Sequence, residues 1–161
     1  MDIVLYGKDR NEIITSDVYE LTELSERTTD DYALILTDND IRTVAASHAD
    51  TLEKTGRIEI MGGLVAKITE AFSTSPYFTQ NNFADGLCRL IDAFYQTKND
   101  CDDMISDDDL IEIMVTNFNE VYGGDIDALT ENLLPRLSQM IRMNGIPKMN
   151  NDDTDVEREY D

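Results

Sequence analysis

Tryptophan is absent, histidine occurs once and cysteine twice, at Cys88 and Cys101. Two thiols without CxxC spacing exclude a disulfide framework, and reduced cysteines of a cytosolic protein are the default. A single histidine, His48, excludes a histidine-rich zinc site, and no cysteine neighbours it in sequence. Basic residues are scarce: 13 Lys and Arg stand against 34 Asp and Glu, a formal charge of −21. Direct nucleic-acid binders neutralise phosphates with clustered Lys and Arg. No such cluster occurs, and the field of this chain would repel nucleic acid and anionic membrane alike. No apolar run approaches the about 18 residues of a membrane span. The stretch Met1–Gly7 lacks the basic region of a signal peptide, and no lipidation motif occurs. A cytoplasmic protein is expected.

What remains is a globular composition, 41% apolar and 29% charged over 161 residues, the length of one ordinary domain. At this size roughly 70% of the unfolded chain's surface is buried on folding, so no disulfide or metal staple is needed.

Apolar residues recur at helical spacing along most of the chain. Ile13, Ile14, Val18, Leu21 and Leu24 predict a helix over 11–26, with Asn11 as N-cap. Tyr32–Leu36 is a short apolar run that predicts a strand or extended segment. Thr37-Asp38-Asn39-Asp40 resembles a capping box, opening a second helix that buries Ile41, Val44, Ala45, His48 and Leu52 and stops before Gly56. Arg57–Met61 alternates polar and apolar residues, a strand candidate ended by Gly62-Gly63. A third helix is predicted over 64–73, broken ahead of Pro76. A fourth spans about 80–97, on Phe83, Leu87, Leu90, Ile91 and Phe94. A fifth opens at Ser106-Asp107-Asp108-Asp109 and runs to about Tyr122. A sixth segment begins near Asp125, with Pro135 inside it predicting a kink or second start. The fold expected is mainly α: a compact bundle of five or six helices with at most one small strand pair, over residues 1–143. Residues 144–161 hold six acids and two bases and read as a flexible acidic tail. The body keeps 28 acids against 11 bases, so the acidity belongs to the fold.

One stretch carries a family resemblance. Gly56-Arg57-Ile58-Glu59-Ile60-Met61-Gly62-Gly63, followed by Ala71-Phe72-Ser73-Thr74-Ser75-Pro76-Tyr77, resembles a family of small uncharacterised bacterial proteins, found mostly in Gram-positive anaerobes. Phe94–Asn99 and Asp107–Leu110 fit it too, and the resemblance covers roughly residues 30–140. It implies a mainly helical cytoplasmic domain without an agreed activity, and it lends no catalytic residue.

Motifs that suggest chemistry resolve into simpler readings. Counted from Asp100, the acidic stretch to Asp109 has Met104, Ile105 and Ile111 where an EF-hand needs an oxygen ligand, Gly and Glu. Its acids instead suit the positive end of a helix dipole. Gly62-Gly63 with Lys67 lacks the Gly-Lys-Ser/Thr of a P-loop, so a tight turn with a positive backbone angle is expected. His48 lies on the core side of its helix and is expected to be buried and hydrogen-bonded. Ser47, His48 and Asp50 diverge around the helix and make no triad.

No catalytic residue, cofactor or metal is assigned. The leading function is non-enzymatic, an interaction or regulatory domain whose partner is another protein. Arg57, Lys67, Tyr77 and Phe78 are the candidate interaction surface: a rare basic spot beside an aromatic pair in a loop. Arg57, taken as a surface charge, is expected to contribute less than about 0.5 kcal/mol. Two alternatives remain. One is an acidic mimic of nucleic acid on a target protein; the other is an enzyme using His48 or a thiol in a pocket.

Overall fold

In a computed structural model the described residues are 9–28, 33–59 and 62–144. They form six helices and, among the described residues, no strand. Helix α1 is Arg10–Arg27, α2 is Asp38–Thr55, α3 is Leu64–Phe72, α4 is Phe83–Asp100 and α5 is Asp107–Glu120. The last helix, α6, runs without a break through a helical turn at Ile126–Ala128, a π turn at Leu129–Leu133 and an α segment at Leu134–Asn144. The bundle of six helices agrees with the sequence reading. The tail expected over 144–161 lies outside the described residues, apart from the backbone of Asn144.

Helix starts follow local chemistry. Thr37 caps α2 through a reciprocal box with Asp40, as its sequence predicts. Ser106 accepts from the Asp109 amide at the head of α5, and Asp107, Asp108 and Asp109 fill the first turn. The cap of α1 is Asp9, not Asn11: Asp9 and Glu12 bond each other's backbone amides, which draws the helix start one residue earlier than expected. Pro135 lies just past the π turn. It lacks an amide and its ring crowds the preceding turn; the wider π turn, in which the Leu134 amide reaches the Leu129 carbonyl, takes up the irregularity.

Helix α4 is the centre of the bundle. Phe83, Leu87, Leu90, Ile91, Phe94 and Tyr95 are all buried, on more than one face. Helix α2 packs on one side of it with α1 beyond, α3 touches α1, α4 and α5, and α6 rests against α4. The apolar run near Leu36 is extended without joining a sheet. The Leu34 amide donates to the Ser73 carbonyl at 2.8 Å, and the Gln80 side chain bonds both the amide and the carbonyl of Ile35. These partners replace a second strand. Residues 57–59 are likewise not a strand, and residues 60 and 61 lie outside the described residues.

An aromatic cluster closes one end. Phe78 stacks on Phe118 with centroids 5.0 Å apart and meets Phe83 at 5.5 Å, while Phe72 meets Phe118 edge-on at 5.5 Å. Gly86 of α4 makes room for it: a Cβ there would lie 2.3 Å from the Phe78 ring. Gly86→Ala should therefore overpack the cluster and lower stability by about 1–3 kcal/mol. Urea denaturation of the purified variant checks this, and an unchanged midpoint would contradict the packing described.

Candidate functional site

Four polar residues meet where α1, α2, α4 and the segment after α2 converge. His48 projects from the core face of α2 and is 1% exposed. Asp17, on the inner face of α1 between Ile13 and Leu21, is 4% exposed. Its Oδ2 lies 2.6 Å from His48 Nδ1. The other ring nitrogen, Nε2, lies 3.0 Å from the hydroxyl of Tyr95 on α4, and the two rings stack at 5.5 Å. Tyr95 donates to Glu59 Oε1 at 3.3 Å, and that oxygen is 3.6 Å from His48 Nε2.

A protonated imidazole satisfies every partner. Nδ1–H donates to Asp17, Nε2–H donates to the Tyr95 oxygen, and the Tyr95 hydroxyl donates onward to Glu59. Burial by itself disfavours the charged ring, but hydrogen bonding to the acceptor carboxylates of Asp17 and then Glu59, with the charges of both, pushes His48 up to about 9. Burial, followed by the charge and hydrogen bond of Glu59, raises the Tyr95 hydroxyl, which stays protonated.

A second layer holds Glu59 in place. Arg57 forms two hydrogen bonds to Asp103, at 2.6 and 3.3 Å, and one to Asn99 at 2.6 Å. Its guanidinium sits 5.7 Å from the Tyr95 ring centroid. The Arg57 hydrogen bond, ahead of the opposing effect of burial, lowers Asp103 below the ordinary carboxyl value. Asn99 also donates to the Thr55 carbonyl at 2.7 Å, so residues 55–57 are stitched to the end of α4. Buried Lys98 donates to the Ile105 carbonyl and pairs with Asp107 at 2.8 Å. At the far end of the segment the Gly63 amide, at the head of α3, donates to Glu20 of α1 at 2.9 Å. Gly63 has φ of 94°, the positive angle expected of the turn. The anion at that helix start is the protein's own Glu20.

Beside this group opens a cleft of about 320 Å³, lined by Arg57, Glu59, Leu64, Lys67, Tyr95 and Asp107 among others. The candidate surface read from sequence is thereby divided. Arg57 and Lys67 share the cleft. Tyr77 lies elsewhere, 45% exposed, edge-on to Phe118 and against Gly124. Phe78 is not a surface residue: it is 8% exposed because its ring fills the aromatic cluster. Arg57 is also more than a surface charge, with its side chain 21% exposed and held by three hydrogen bonds.

This is the surrounding of a family member. The chain belongs to DUF6323, a family of unknown function. The family match covers residues 20–146 and encloses the 30–140 stretch on which the resemblance rests. His48, Glu59 and Tyr95 lie inside it, and Asp17 lies three residues before it. No curated protein and no solved structure matches the chain.

The geometry limits the chemistry. Both nitrogens of His48 are occupied from within the fold, so neither thiol reaches them. Cys101 is fully buried, its Sγ 3.7 Å from the Lys98 carbonyl. Cys88 lines a separate cleft with Ser47, Asp92 and Arg89, and burial raises its thiol, which disfavours the reactive thiolate. Among the described residues no three His, Cys, Asp or Glu side chains could hold a metal ion together. Asp17, Tyr95 and Lys98 escaped the sequence reading; polar residues at core spacing were the signal available.

Two outcomes follow from the network. The folded value of His48 lies above its ordinary 6.5, so its stabilising contribution is complete below about pH 6.5 and is lost as pH rises through about 9. Stability should fall by up to about 3 kcal/mol across that window, read by urea denaturation at a series of pH values. An imidazole NMR titration with a midpoint at or below 6.5 would refute the charged ring. Arg57→Ala should cost about 1–2 kcal/mol, above the earlier surface-charge expectation, through loss of the clip to Asp103 and Asn99. A change within about 0.5 kcal/mol would show that the clip is idle.

Proposed function

We propose that this domain works by binding another protein through its acidic surface, without turnover of a substrate. The observation that carries this is where the scarce cations go. Six of them engage acids within the fold: Arg10 with Asp50, Lys54 with Asp92, Arg57 with Asp103, Lys67 with Asp108, Arg89 with Asp127 and Lys98 with Asp107. Glu26, Asp38, Glu112, Glu120 and Glu131 stand exposed on outer faces. The chain as a whole carries an excess of 21 negative charges, and exposed carboxylates of this kind steer encounter with a basic partner surface. A nucleic-acid-binding protein is one special case of such a partner.

The fully occupied His48 and the raised Cys88 thiol support the non-enzymatic side of this reading. The free state of both cysteines suits a reducing cytoplasm, and the resemblance suits a Gram-positive anaerobic host.

The test is retention of host proteins on the immobilised full chain at about 0.1 M and about 1 M salt, where the screening length falls from about 10 to 3 Å. A partner held at low salt and released at high salt is expected. Retention indifferent to salt, or none at either, would overturn an acidic docking surface.

A further inference from the structure

The charges on the wall of the cleft beside His48 fall into pairs, with one exception. Arg57 pairs with Asp103 at 2.6 Å, Lys67 with Asp108 at 3.1 Å and Asp107 with Lys98 at 2.8 Å. Among the described residues Glu59 has only a share of a cation. Its positive neighbour is His48, at 3.6 Å, and the single charge of that ring already serves Asp17 at 2.6 Å. Two carboxylates face one imidazolium, so the buried group carries one net negative charge.

That charge sits at the cleft wall, where the Glu59 side chain is 11% exposed. Among the described residues both of its contacts use Oε1, and Oε2 is the oxygen placed to accept from an incoming donor. A buried charge without its full counter-charge is unfavourable, and a cation that reaches it gains from the low dielectric around it.

We propose that this cleft receives a basic side chain, an arginine guanidinium or a lysine ammonium, from the partner protein. The inserted cation completes the Asp17–His48–Glu59 group. The proposal rests on the acidic-surface reading and narrows it to one point of contact. The rim favours a protein over a small free amine. Asp107 lines the opening, and Asp103 and Asp108 pair with its lining bases Arg57 and Lys67. All three are about half exposed or more, so residues flanking the inserted side chain meet carboxylate oxygens that these pairs leave to solvent. Lys67, 59% exposed at the same cleft, opposes any cation that enters and provides a handle on the site.

The probe is a capped, fluorescent arginine-rich peptide, with a lysine-rich counterpart, measured by anisotropy against the full chain at about 0.1 M salt. Glu59→Gln keeps an acceptor for Tyr95 and should weaken binding about tenfold or more. Glu112→Gln removes the same charge from an exposed face and should weaken it about twofold or less. Lys67→Glu should tighten binding more than Lys54→Glu, which makes the same charge change in the separate cleft that Lys54 lines with Cys88. The single histidine reports locally: saturating peptide should move the imidazole resonances of His48. Circular dichroism confirms that each variant is folded, and if Glu59→Gln is not, the two lysine variants decide.

Equal weakening by Glu59→Gln and Glu112→Gln, or equal tightening by the two lysine variants, would overturn the cleft as receptor and leave the acidic-surface reading standing. Absence of peptide binding overturns the receptor too, whereas the host-protein retention test bears on the wider reading alone. Displacement of the peptide by equimolar spermidine would assign the cleft to a small amine and overturn the protein side chain as its occupant.

Discussion

A positively charged imidazole shared by two carboxylates holds four parts of this chain in register. Asp17 belongs to α1, His48 to α2, Tyr95 to α4 and Glu59 to the segment leading to α3. Apolar packing alone lets helices slide, because one leucine contact resembles the next. A directional bond of 2.6 Å between two residues under 5% exposed does not. It fixes the rotation of α1 on α2 and of α2 on α4, the arrangement on which the rest of the bundle is built. Such a group is not a simple gain in stability, since desolvation of its charges opposes it. Its removal in part is the larger penalty, because a lone buried carboxylate remains.

The segment after α2 depends on the same group. Its described residues join no sheet, so side chains do much of the positioning. Arg57 grips Asp103 and Asn99 at the end of α4, Glu59 reaches the Tyr95 hydroxyl, and the Gly63 amide finds Glu20 on α1. These anchors draw on the C-terminal half of α4 and the middle of α1, and together they aim α3 across α1, α4 and α5. The cleft is a by-product of this route. It lies where the segment passes over Tyr95 before α3 begins.

The helices were legible because each carries its apolar stripe and most carry their own caps. Thr37 with Asp40, Ser106 with its three aspartates, and the stop before Gly56 are local signals that tertiary structure did not override. The site was only half legible. Asp17, His48 and Lys98 all occupy core spacing, Asp17 four residues from Ile13 and Leu21, and Lys98 four from Phe94. A charged residue at such a position needs a partner, but its identity depends on helix packing that no spacing encodes. Periodicity placed His48 in the core for that reason and could not name Asp17, Tyr95 or Glu59. Phe78 was misread as surface for the opposite reason. A loop residue has no period to reveal its side, and the space it fills is made by Gly86, eight positions later.

The surface and the buried site share one cause. With 13 cations for 34 acids, every base that folds inward leaves the exterior more negative. Lys98 is buried, and Arg57 largely so, where they tie the loop between α4 and α5 to the core. The outer faces of the helices keep some bases, such as Arg10, Lys54 and Arg89, but the chain has too few to match its acids. The remaining like charges repel, a strain the apolar core around α4 must hold. The same scarcity operates inside, where one histidine stands between two carboxylates and, among the described residues, no lysine or arginine balances the second. The shortage of positive charge outside and inside, meeting at the opening beside Glu59, is the physical basis of the proposed complement: a surface whose basic residues outnumber its acids, with one side chain long enough to reach the wall of the cleft.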